Sequence, residues 1–352
     1  MKYAFYPGCV ARGACPELYS ATLEVCEILG IELDEQALEG AACTGAGVLQ
    51  EKNLLLADTL NARTFALAEK SGLPLMTICS TCQGVMSQAN QRLTEDPEYL
   101  AQVNETLADE GLEYKGTVDP KHLLWIIAED LGIEFLESKI VRKLEGFRFA
   151  PFYGCYIVRP SKALKLDENP ERKQALEQVI EAVGAEVVDF PGSTLCCGFP
   201  ILTINPKNSQ TMVANHTIAA KDRGADAMVT PCPLCHLNLD GYQPNAAAIA
   251  KRDIDLPIIH LPQLVGLALG IAPEKMRLNN LLLATKTCLL RKNIVTRSIS
   301  TKSFNKGNEK PNHTTIEWED GHISEFHNAW LRDHCRCDTC IDPSTFQRSF
   351  DT

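Results

Sequence analysis

The sequence predicts an α/β protein built from two tandem copies of one cysteine-rich unit. Short apolar segments alternate with amphipathic helical segments, an order typical of parallel sheets flanked by helices. Cysteines also recur in the same order in both halves of the first 275 or so residues. A repeat of this kind indicates two similar units that pack side by side.

Length and charge limit the classes of protein that need to be considered. With 352 residues, the chain is long enough for two domains and an extra segment. Its net charge of −11 argues against a nucleic-acid partner, since phosphate binding requires a cationic face. The apolar stretch 264–272 is about half the length that crosses a bilayer, so we expect no membrane span. The first residues lack the features of a secretory leader, and we therefore expect a cytoplasmic protein.

Fifteen cysteines are the most informative feature of the composition. Cytoplasmic thiols are kept reduced, so paired cysteines there are more often metal ligands or redox groups than disulfides. In both halves the order is a single Cys, then a Cys-Cys-Gly or Cys-Thr-Gly step, then Cys-x-x-Cys. The members are Cys9, Cys43, Cys79 and Cys82 in the first half, and Cys155, Cys196, Cys197, Cys232 and Cys235 in the second. Three of the counterparts lie 153 residues apart, and a loop of different length explains the offset of 146 between Cys9 and Cys155.

The predicted strands end close to these cysteines. Strands are expected at 3–6, 73–78, 147–153 and 225–229, and amphipathic helices at 18–29, 54–70, 172–183 and 209–223. Ligands of parallel sheets collect at the carboxyl ends of the strands, where the positive ends of helices favour an anionic group. The thiols of each half are therefore expected to meet at one edge of a sheet.

The number and spacing of the cysteines favour iron–sulfur clusters over zinc. A closed zinc site needs four ligands, whereas the second half offers five cysteines, two of them adjacent. Adjacent thiolates reach two irons of a cluster more readily than one zinc ion. A structural zinc protein remains the alternative from metal-site chemistry alone.

Both halves resemble the Cys-Cys-Gly domain found in the B subunit of heterodisulfide reductase, over about residues 1–285. The resemblance implies a non-cubane [4Fe-4S] cluster at which a disulfide is cleaved or formed. Carried over by position, its ligands and reactive site are Cys155, Cys196, Cys197, Cys232 and Cys235. It also implies two partners from the same complex, the ferredoxin-like C subunit and the flavin-containing A subunit. The implied substrate is a disulfide or a protein-bound sulfur.

The first half departs from the family pattern, because Thr44 stands where the second adjacent cysteine belongs. Four thiolates suffice for a cubane [4Fe-4S] cluster, and we interpret Cys9, Cys43, Cys79 and Cys82 as the ligands of an electron relay. The motifs around Cys43 and Cys79 resemble the B subunit of the heterodisulfide-reductase-like complex of sulfur oxidisers. The alternative function is an electron-transfer component of lactate, glycolate or glycerol-3-phosphate oxidation without its own substrate site. The intact Cys196-Cys197 pair favours the disulfide-handling function.

We expect domains at 1–145 and 146–275, a basic linker at 276–312, and a separate, mostly irregular tail at 313–352. Residues 281–310 contain seven Lys or Arg and one acid, which is the composition of a transit peptide. The run Trp330-Leu-Arg-Asp-His-Cys335 is similar to the N-terminal domain of γ-butyrobetaine and trimethyllysine dioxygenases. This resemblance implies Cys335, Cys337 and Cys340 as zinc ligands. The dioxygenase catalytic domain has no counterpart in the sequence, so we expect no hydroxylase activity.

Three further residues near the motifs have simpler interpretations. Cys26 lies on the apolar side of a predicted helix and is expected to fill the core. Cys15 begins that helix and has no assigned role. His236 follows the last cysteine of the repeat, where either a hydrogen bond to a sulfur or a position in a loop is possible.

Overall fold

The computed structural model describes residues 1–278, 313–317 and 323–327. The chain divides into two units, Met1–Ile294 and Val295–Thr352. In the second unit, β9 (His313–Glu317) and β10 (Ile323–His327) pair antiparallel. Most of the predicted basic linker, the remainder of the tail and the three zinc candidates lie outside the described residues.

The first half of the larger unit is a four-stranded parallel sheet flanked by helices. Its strands have the order β2-β1-β3-β4, with β1 (Lys2–Tyr6), β2 (Glu32–Asp34), β3 (Leu75–Thr77) and β4 (Lys121–His122). Its helices are α1 (Cys9–Gly13), α2 (Pro16–Leu29), α3 (Val48–Lys52), α4 (Leu54–Ser71), α5 (Ser80–Glu95), α6 (Pro97–Leu107), α7 (Leu123–Trp125) and α8 (Ile133–Lys139). Short 3-10 helices span Gln36–Leu38 and Ala108–Glu110, and a π-helical segment, Ile126–Gly132, joins α7 to α8.

The second half repeats this arrangement. Its parallel sheet has the order β6-β5-β7-β8, with β5 (Arg148–Pro151), β6 (Glu186–Val187), β7 (Ala227–Thr230) and β8 (Ile258–His260). Its helices are α9 (Ala175–Ala182), α10 (Pro206–Asp222), α11 (Pro233–Gly241), α12 (Gln243–Ala250) and α13 (Leu261–Ala268), with 3-10 helices at Pro170–Gln174 and Phe199–Ile201. The equivalent strand order confirms the predicted α/β class and the tandem repeat.

The predicted elements agree with the structure to within a few residues. Each predicted strand matches β1, β3, β5 or β7, and the predicted helices match α2, α4, α9 and α10, with α9 preceded by a 3-10 turn. The central strands are recognisable because both faces of a parallel sheet are covered, which makes their residues continuously apolar. Ala4, Leu75, Phe149 and Met228, for example, are fully buried.

The loops after β3 and β7 face each other, and this places the cysteines of both halves in one region. The Ser80 hydroxyl donates a hydrogen bond to the Pro231 carbonyl at 3.2 Å. The same carbonyl lies 3.0 Å from Nε2 of His122, at the end of β4. Because these loops lead into α5 and α11, the two Cys-x-x-Cys motifs lie side by side.

The packed region of the larger unit extends past the predicted start of the basic linker. Met276 is fully buried, and its carbonyl accepts a hydrogen bond from Gln263 of α13 at 3.2 Å. Leu278 is also buried. Within the described ranges, no helix combines the length and the apolar character that crossing a membrane requires.

Candidate metal centre

The five cysteines of the second half form one hydrogen-bonded group of thiols, which we call the second cysteine set. Interactions between neighbouring thiols run from Cys155 through Cys196, Cys197 and Cys235 to Cys232. Cys232 caps α11, and Cys235 lies in its first turn. The second cysteine set therefore gathers at the carboxyl edge of the sheet, as predicted from the strand positions.

Two side chains that the sequence did not single out hold the loop of adjacent cysteines. His216 of α10 places Nε2 2.9 Å from the Cys196 carbonyl, and Asn238 of α11 donates to the Cys197 carbonyl at 2.7 Å. Gly198 has a φ of +93° and directs its backbone N–H to the Cys196 sulfur at 3.4 Å. These contacts fix both sulfurs relative to α10 and α11.

A cavity of about 200 Å³ opens above the second cysteine set. All five thiols line it; Cys155 and Cys196 are half-buried, whereas Cys232 is only 1% exposed. Its walls come from both halves of the chain and are largely apolar, with Ala46, Val48, Tyr156, Phe199, Pro200 and Leu202 among them. Because all five thiols line the cavity, the iron of a cluster would occupy its inner part, and the apolar side chains would border its outer part.

The protein groups around these thiols favour a mixture of thiols and thiolates over five thiolates. Hydrogen bonds from Cys155 and then Cys197 lower the pKa of Cys196 to about 2. The hydrogen bond with Cys196, followed by burial, raises the pKa of Cys155 far above its usual value. The residues that line the cavity include no Lys or Arg. A set of this kind ionises fully only beside multivalent metal, and its chemistry therefore fits cluster iron.

The four cysteines of the first half, the first cysteine set, also lie together. The sulfurs of Cys9 and Cys43 are 3.7 Å apart, and the backbone N–H of Cys82 donates to the Cys79 sulfur at 3.4 Å. All four line one small cavity. Cys9 and Cys43 are exposed, while Cys79 and Cys82 are buried. Burial, then the charge of Cys43, raises the pKa of Cys9 to about 11.

Thr44 occupies the position of the missing fifth cysteine and contacts the same site. It is 3% exposed, and its hydroxyl donates to the Cys82 sulfur at 3.6 Å. Where the second half has a cysteine thiolate, the first half therefore has a hydrogen-bond donor. Donors of this kind tune the potential of a thiolate-bound centre.

The two cysteine sets contact each other. The thiols of Cys79 and Cys232 interact by a hydrogen bond, and the Thr81 hydroxyl lies 3.4 Å from the Cys232 sulfur. Burial opposes ionisation of Cys232, but hydrogen bonds from Cys235, Cys79 and Thr81 outweigh burial and lower its pKa well below the usual value. The sequence motifs gave no sign of this contact, because it depends on how the two halves pack.

The glycine before the first cysteine of each half allows the Cys-x-x-Cys motif to approach. Gly154 has a φ of +71°, and a Cβ atom there would lie 2.8 Å from the Cys235 sulfur. Gly8 has a φ of +80°, and its Cβ would lie 3.4 Å from the Cys82 sulfur. The second half is therefore the more closely packed at this point.

The other residues considered from the sequence lie away from the thiols or outside the described residues. Cys26 is buried in the core, which confirms its predicted packing role. His236 is also buried, and its Nε2 lies 3.1 Å from the Ile258 carbonyl instead of a sulfur. No placement is described for Cys335, Cys337 and Cys340.

Comparison with known families matches both parts of the chain. Residues 3–87 and 149–240 each match the CCG cysteine-rich domain family, and residues 306–352 match the γ-butyrobetaine hydroxylase-like N-terminal family. The first two ranges contain both cysteine sets. The third contains the predicted zinc candidates, so the predicted resemblance of the tail is confirmed.

Individual relatives cover the same region. The chain is 38% identical over 286 residues to the membrane anchor subunit of the 8-methylmenaquinol:fumarate reductase of Wolinella succinogenes, covering 81% of this chain and 98% of that protein. It is 32% identical over 278 residues to the B subunit of the ferredoxin/F(420)H(2)-dependent CoB-CoM heterodisulfide reductase of Methanosarcina acetivorans, covering 78% and 91%.

A solved structure shares the fold. A hypothetical protein from Helicobacter pylori superposes with a TM-score of 0.63 and 17% sequence identity, over 79% of this chain and about half (51%) of that chain. The paired family matches and the identity to a heterodisulfide reductase component agree with the two cysteine sets. The chain therefore belongs to the CCG cysteine-rich domain family and is a homologue of the B subunit of heterodisulfide reductase.

Proposed function

We propose that this chain is the component of a multi-subunit electron-transfer complex that reduces or forms a disulfide, an iron–sulfur oxidoreductase. The observation that carries the proposal is the group of five thiols beneath a largely apolar cavity with no cationic lining residue. A bound cluster would fill the part of this space next to the sulfurs, and the apolar side chains of Val48, Phe199 and Leu202 would border the rest. Five thiols are one more than an ordinary cubane cluster needs. The extra thiol and the apolar border favour a substrate-binding role.

The residues of the two sets would hold two different [4Fe-4S] clusters. The second cysteine set would bind a non-cubane cluster, and the first cysteine set a cubane cluster, with Thr44 as a hydrogen-bond donor instead of a ligand. When bound, the cluster of the second set supplies Lewis-acidic iron for a substrate sulfur and accepts or donates single electrons.

The chain's own side chains position the substrate and connect the sites. The apolar walls around Val48 and Phe199 would bind the carbon skeleton of a disulfide and exclude water from the sulfurs. Contact between Cys79 and Cys232 offers a short electron path from one set to the other. We therefore interpret the second set as the reactive site and the first set as the relay.

The chain would work with partner subunits in the cytoplasm. Electrons would pass to or from two partners in the same complex, one ferredoxin-like and one that contains a flavin. The complex would act in the cytoplasm, in sulfur metabolism of the type suggested by the motifs around Cys43 and Cys79. Lipoamide-bound sulfur and small persulfides belong to the substrate class that these features suggest.

Cys197→Ser tests this function in the anaerobically purified, iron-loaded chain. We expect a disulfide or thiol substrate to change the paramagnetic spectrum of the wild-type protein and to leave that of the variant unchanged. The matched control is Cys26→Ser, which removes a buried thiol outside both sets and should respond like the wild type. If substrate did not change the wild-type spectrum, the disulfide function would be refuted. The alternative, an electron-transfer component of lactate, glycolate or glycerol-3-phosphate oxidation, would then be favoured.

Exposed apolar side chains around the cavity favour a second candidate function, oxidation of a quinol at a membrane surface. Val48 lines the cavity and is 54% exposed, and Ile204, two residues after the cavity-lining Leu202, is 83% exposed. The W. succinogenes relative is named as the membrane anchor of an 8-methylmenaquinol:fumarate reductase. Adding a menaquinol analogue in lipid vesicles, and separately a disulfide, distinguishes the two. Quinol oxidation coupled to cluster reduction, without a disulfide response, would support the second candidate.

A further inference from the structure

Four side chains of metal-binding type converge behind the second cysteine set, outside the sites described above. Cys15, Glu17, His236 and His260 each offer one ligand atom, and these atoms all lie within 4.8 Å of one another. Each residue is at most 5% exposed. They come from both halves of the chain, since Cys15 and Glu17 begin α2, His236 lies in α11, and His260 caps α13.

The contacts within the group leave two imidazole nitrogens without a hydrogen-bond partner, Nδ1 of His236 and Nδ1 of His260. Nε2 of His260 lies 3.3 Å from a carboxylate oxygen of Glu17, and the rings of His236 and His260 stack with centroids 3.9 Å apart. Nε2 of His236 donates to the Ile258 carbonyl, because a carbonyl only accepts. Nδ1 of that ring then carries the lone pair, and it is buried without a hydrogen-bond partner. Metal-binding histidines typically have this second-nitrogen contact to a carbonyl.

At two of the four positions the first half offers a comparison. In the first half, Gln83 follows Cys82 as His236 follows Cys235, and its amide donates to the Ser87 hydroxyl and the Pro120 carbonyl. His122 ends β4 as His260 ends β8. Its Nε2 contacts the Pro231 carbonyl, and its Nδ1 accepts from the backbone of Leu124. Oε1 of Gln83 is also buried without a partner, so the halves differ in that only the second has an imidazole at this position.

The charges of the group match a divalent cation. With a metal bound, a thiolate from Cys15 and a carboxylate from Glu17 would contribute two negative charges, and two neutral imidazole ligands would add none. Without a cation the Cys15 thiol donates to the Pro233 carbonyl at 3.9 Å, and a bound metal would displace that proton. One divalent ion would bring the net charge of the site to zero.

We propose that Cys15, Glu17, His236 and His260 bind a single zinc ion that links the two halves behind the second cysteine set. Zinc accepts mixed sulfur, nitrogen and oxygen ligands in a tetrahedron. Tetrahedral zinc ligands are separated by about 3.4 Å, so ligand atoms that now lie within 4.8 Å of one another would move closer when zinc binds. One thiolate is too few for an iron–sulfur cluster. Four protein ligands leave no open position, and the ion would therefore be structural.

The direct test is zinc content and zinc X-ray absorption of the anaerobically purified, iron-loaded full-length chain. The tail thiols are first replaced by Cys335→Ser, Cys337→Ser and Cys340→Ser, so that they cannot contribute. We expect about one zinc ion per chain, with one sulfur and three nitrogen or oxygen neighbours. Absence of zinc, or a zinc ion with four sulfur neighbours, would overturn the proposal, because four sulfurs would place it in a cysteine set.

Single substitutions in the same background assign the ligands. Cys15→Ala should lower bound zinc at least about fivefold while iron and acid-labile sulfide stay unchanged. Cys26→Ala is the matched control, since it removes another buried thiol of α2. His236→Gln, which introduces the residue used by the first half, should also lose zinc. Wild-type zinc content in both ligand variants would refute the assignment. If they do not fold, the absorption spectrum of the unaltered site decides.

Discussion

The two halves have the same strand order but hold their thiols in different surroundings. In the first half, two of four thiols are exposed and Thr44 donates a hydrogen bond to a third. In the second half, three of five thiols are buried and two are half-buried, and all five line one cavity. The sheets are equivalent, so the difference arises in the loops at their carboxyl edges. One framework can thus hold a reactive site and a relay when only those loops change.

The largest predicted contrast between the halves is the pH dependence of thiol alkylation in the metal-free protein. Between pH 6 and 9, Cys196 is above its pKa of about 2 and remains thiolate, so its rate should be constant. Cys9 is below its pKa of about 11, so its thiolate fraction and rate should rise tenfold per pH unit, about a thousandfold overall. Peptide mapping after brief iodoacetamide treatment measures both. If the alkylation rates of both cysteines had the same pH profile, the predicted difference in thiol pKa between the two sets would be wrong.

Removing one thiol from each half tests the division of roles. Cys196→Ala should reduce disulfide turnover at least about a hundredfold, because it removes a lining thiol of the cavity and a cluster ligand. Cys43→Ala should slow electron delivery yet preserve the response of the second centre to substrate in single-turnover experiments. Anaerobic stopped-flow spectroscopy follows both steps. If Cys43→Ala abolished the substrate response, the assigned roles would have to be exchanged.

The glycine before each first cysteine gives a matched pair of substitutions. Gly154→Ala forces a non-glycine residue into positive φ and places Cβ 2.8 Å from the Cys235 sulfur. We expect it to destabilise the protein by about 1–3 kcal/mol and to lower iron content. Gly8→Ala shares the positive φ, but its Cβ would be 3.4 Å from the Cys82 sulfur, so its effect should be smaller. Denaturant unfolding and iron analysis compare the two variants. Equal losses of stability and iron would show that the positive φ, and not the contact with the sulfur, causes the effect.

The smallest predicted effect concerns the hydroxyl of Thr44. Thr44→Val keeps the shape of the side chain but removes the donor to the Cys82 sulfur. Without that donor the reduced centre is less stabilised, and its potential should fall by tens of millivolts. Thr44→Ser, which keeps a hydroxyl, is the control in a redox titration. Identical potentials for all three proteins would show that this contact has no influence on the relay.

Sequence reasoning located the long central strands and the cysteines because both leave local patterns. It missed β2, β4, β6 and β8, since strands of two or three residues are too short for periodicity to reveal. It also missed the contact between Thr81 and Cys232 and the group around Cys15 and His260. These depend on how the two halves pack, and no local pattern records a contact between residues more than a hundred positions apart.

The walls of the cavity come from both halves, and this has a consequence for how the protein could have evolved. Ala46 and Val48 of the first half face Phe199 and Leu202 of the second across the same space. A single unit would have the thiols but only one side of the cavity. A symmetric dimer of two identical units would already have two complete cavities, because each unit would supply the missing wall of the other's cavity. Duplication and fusion of such a homodimer would then allow one copy to lose a thiol without loss of the other's site.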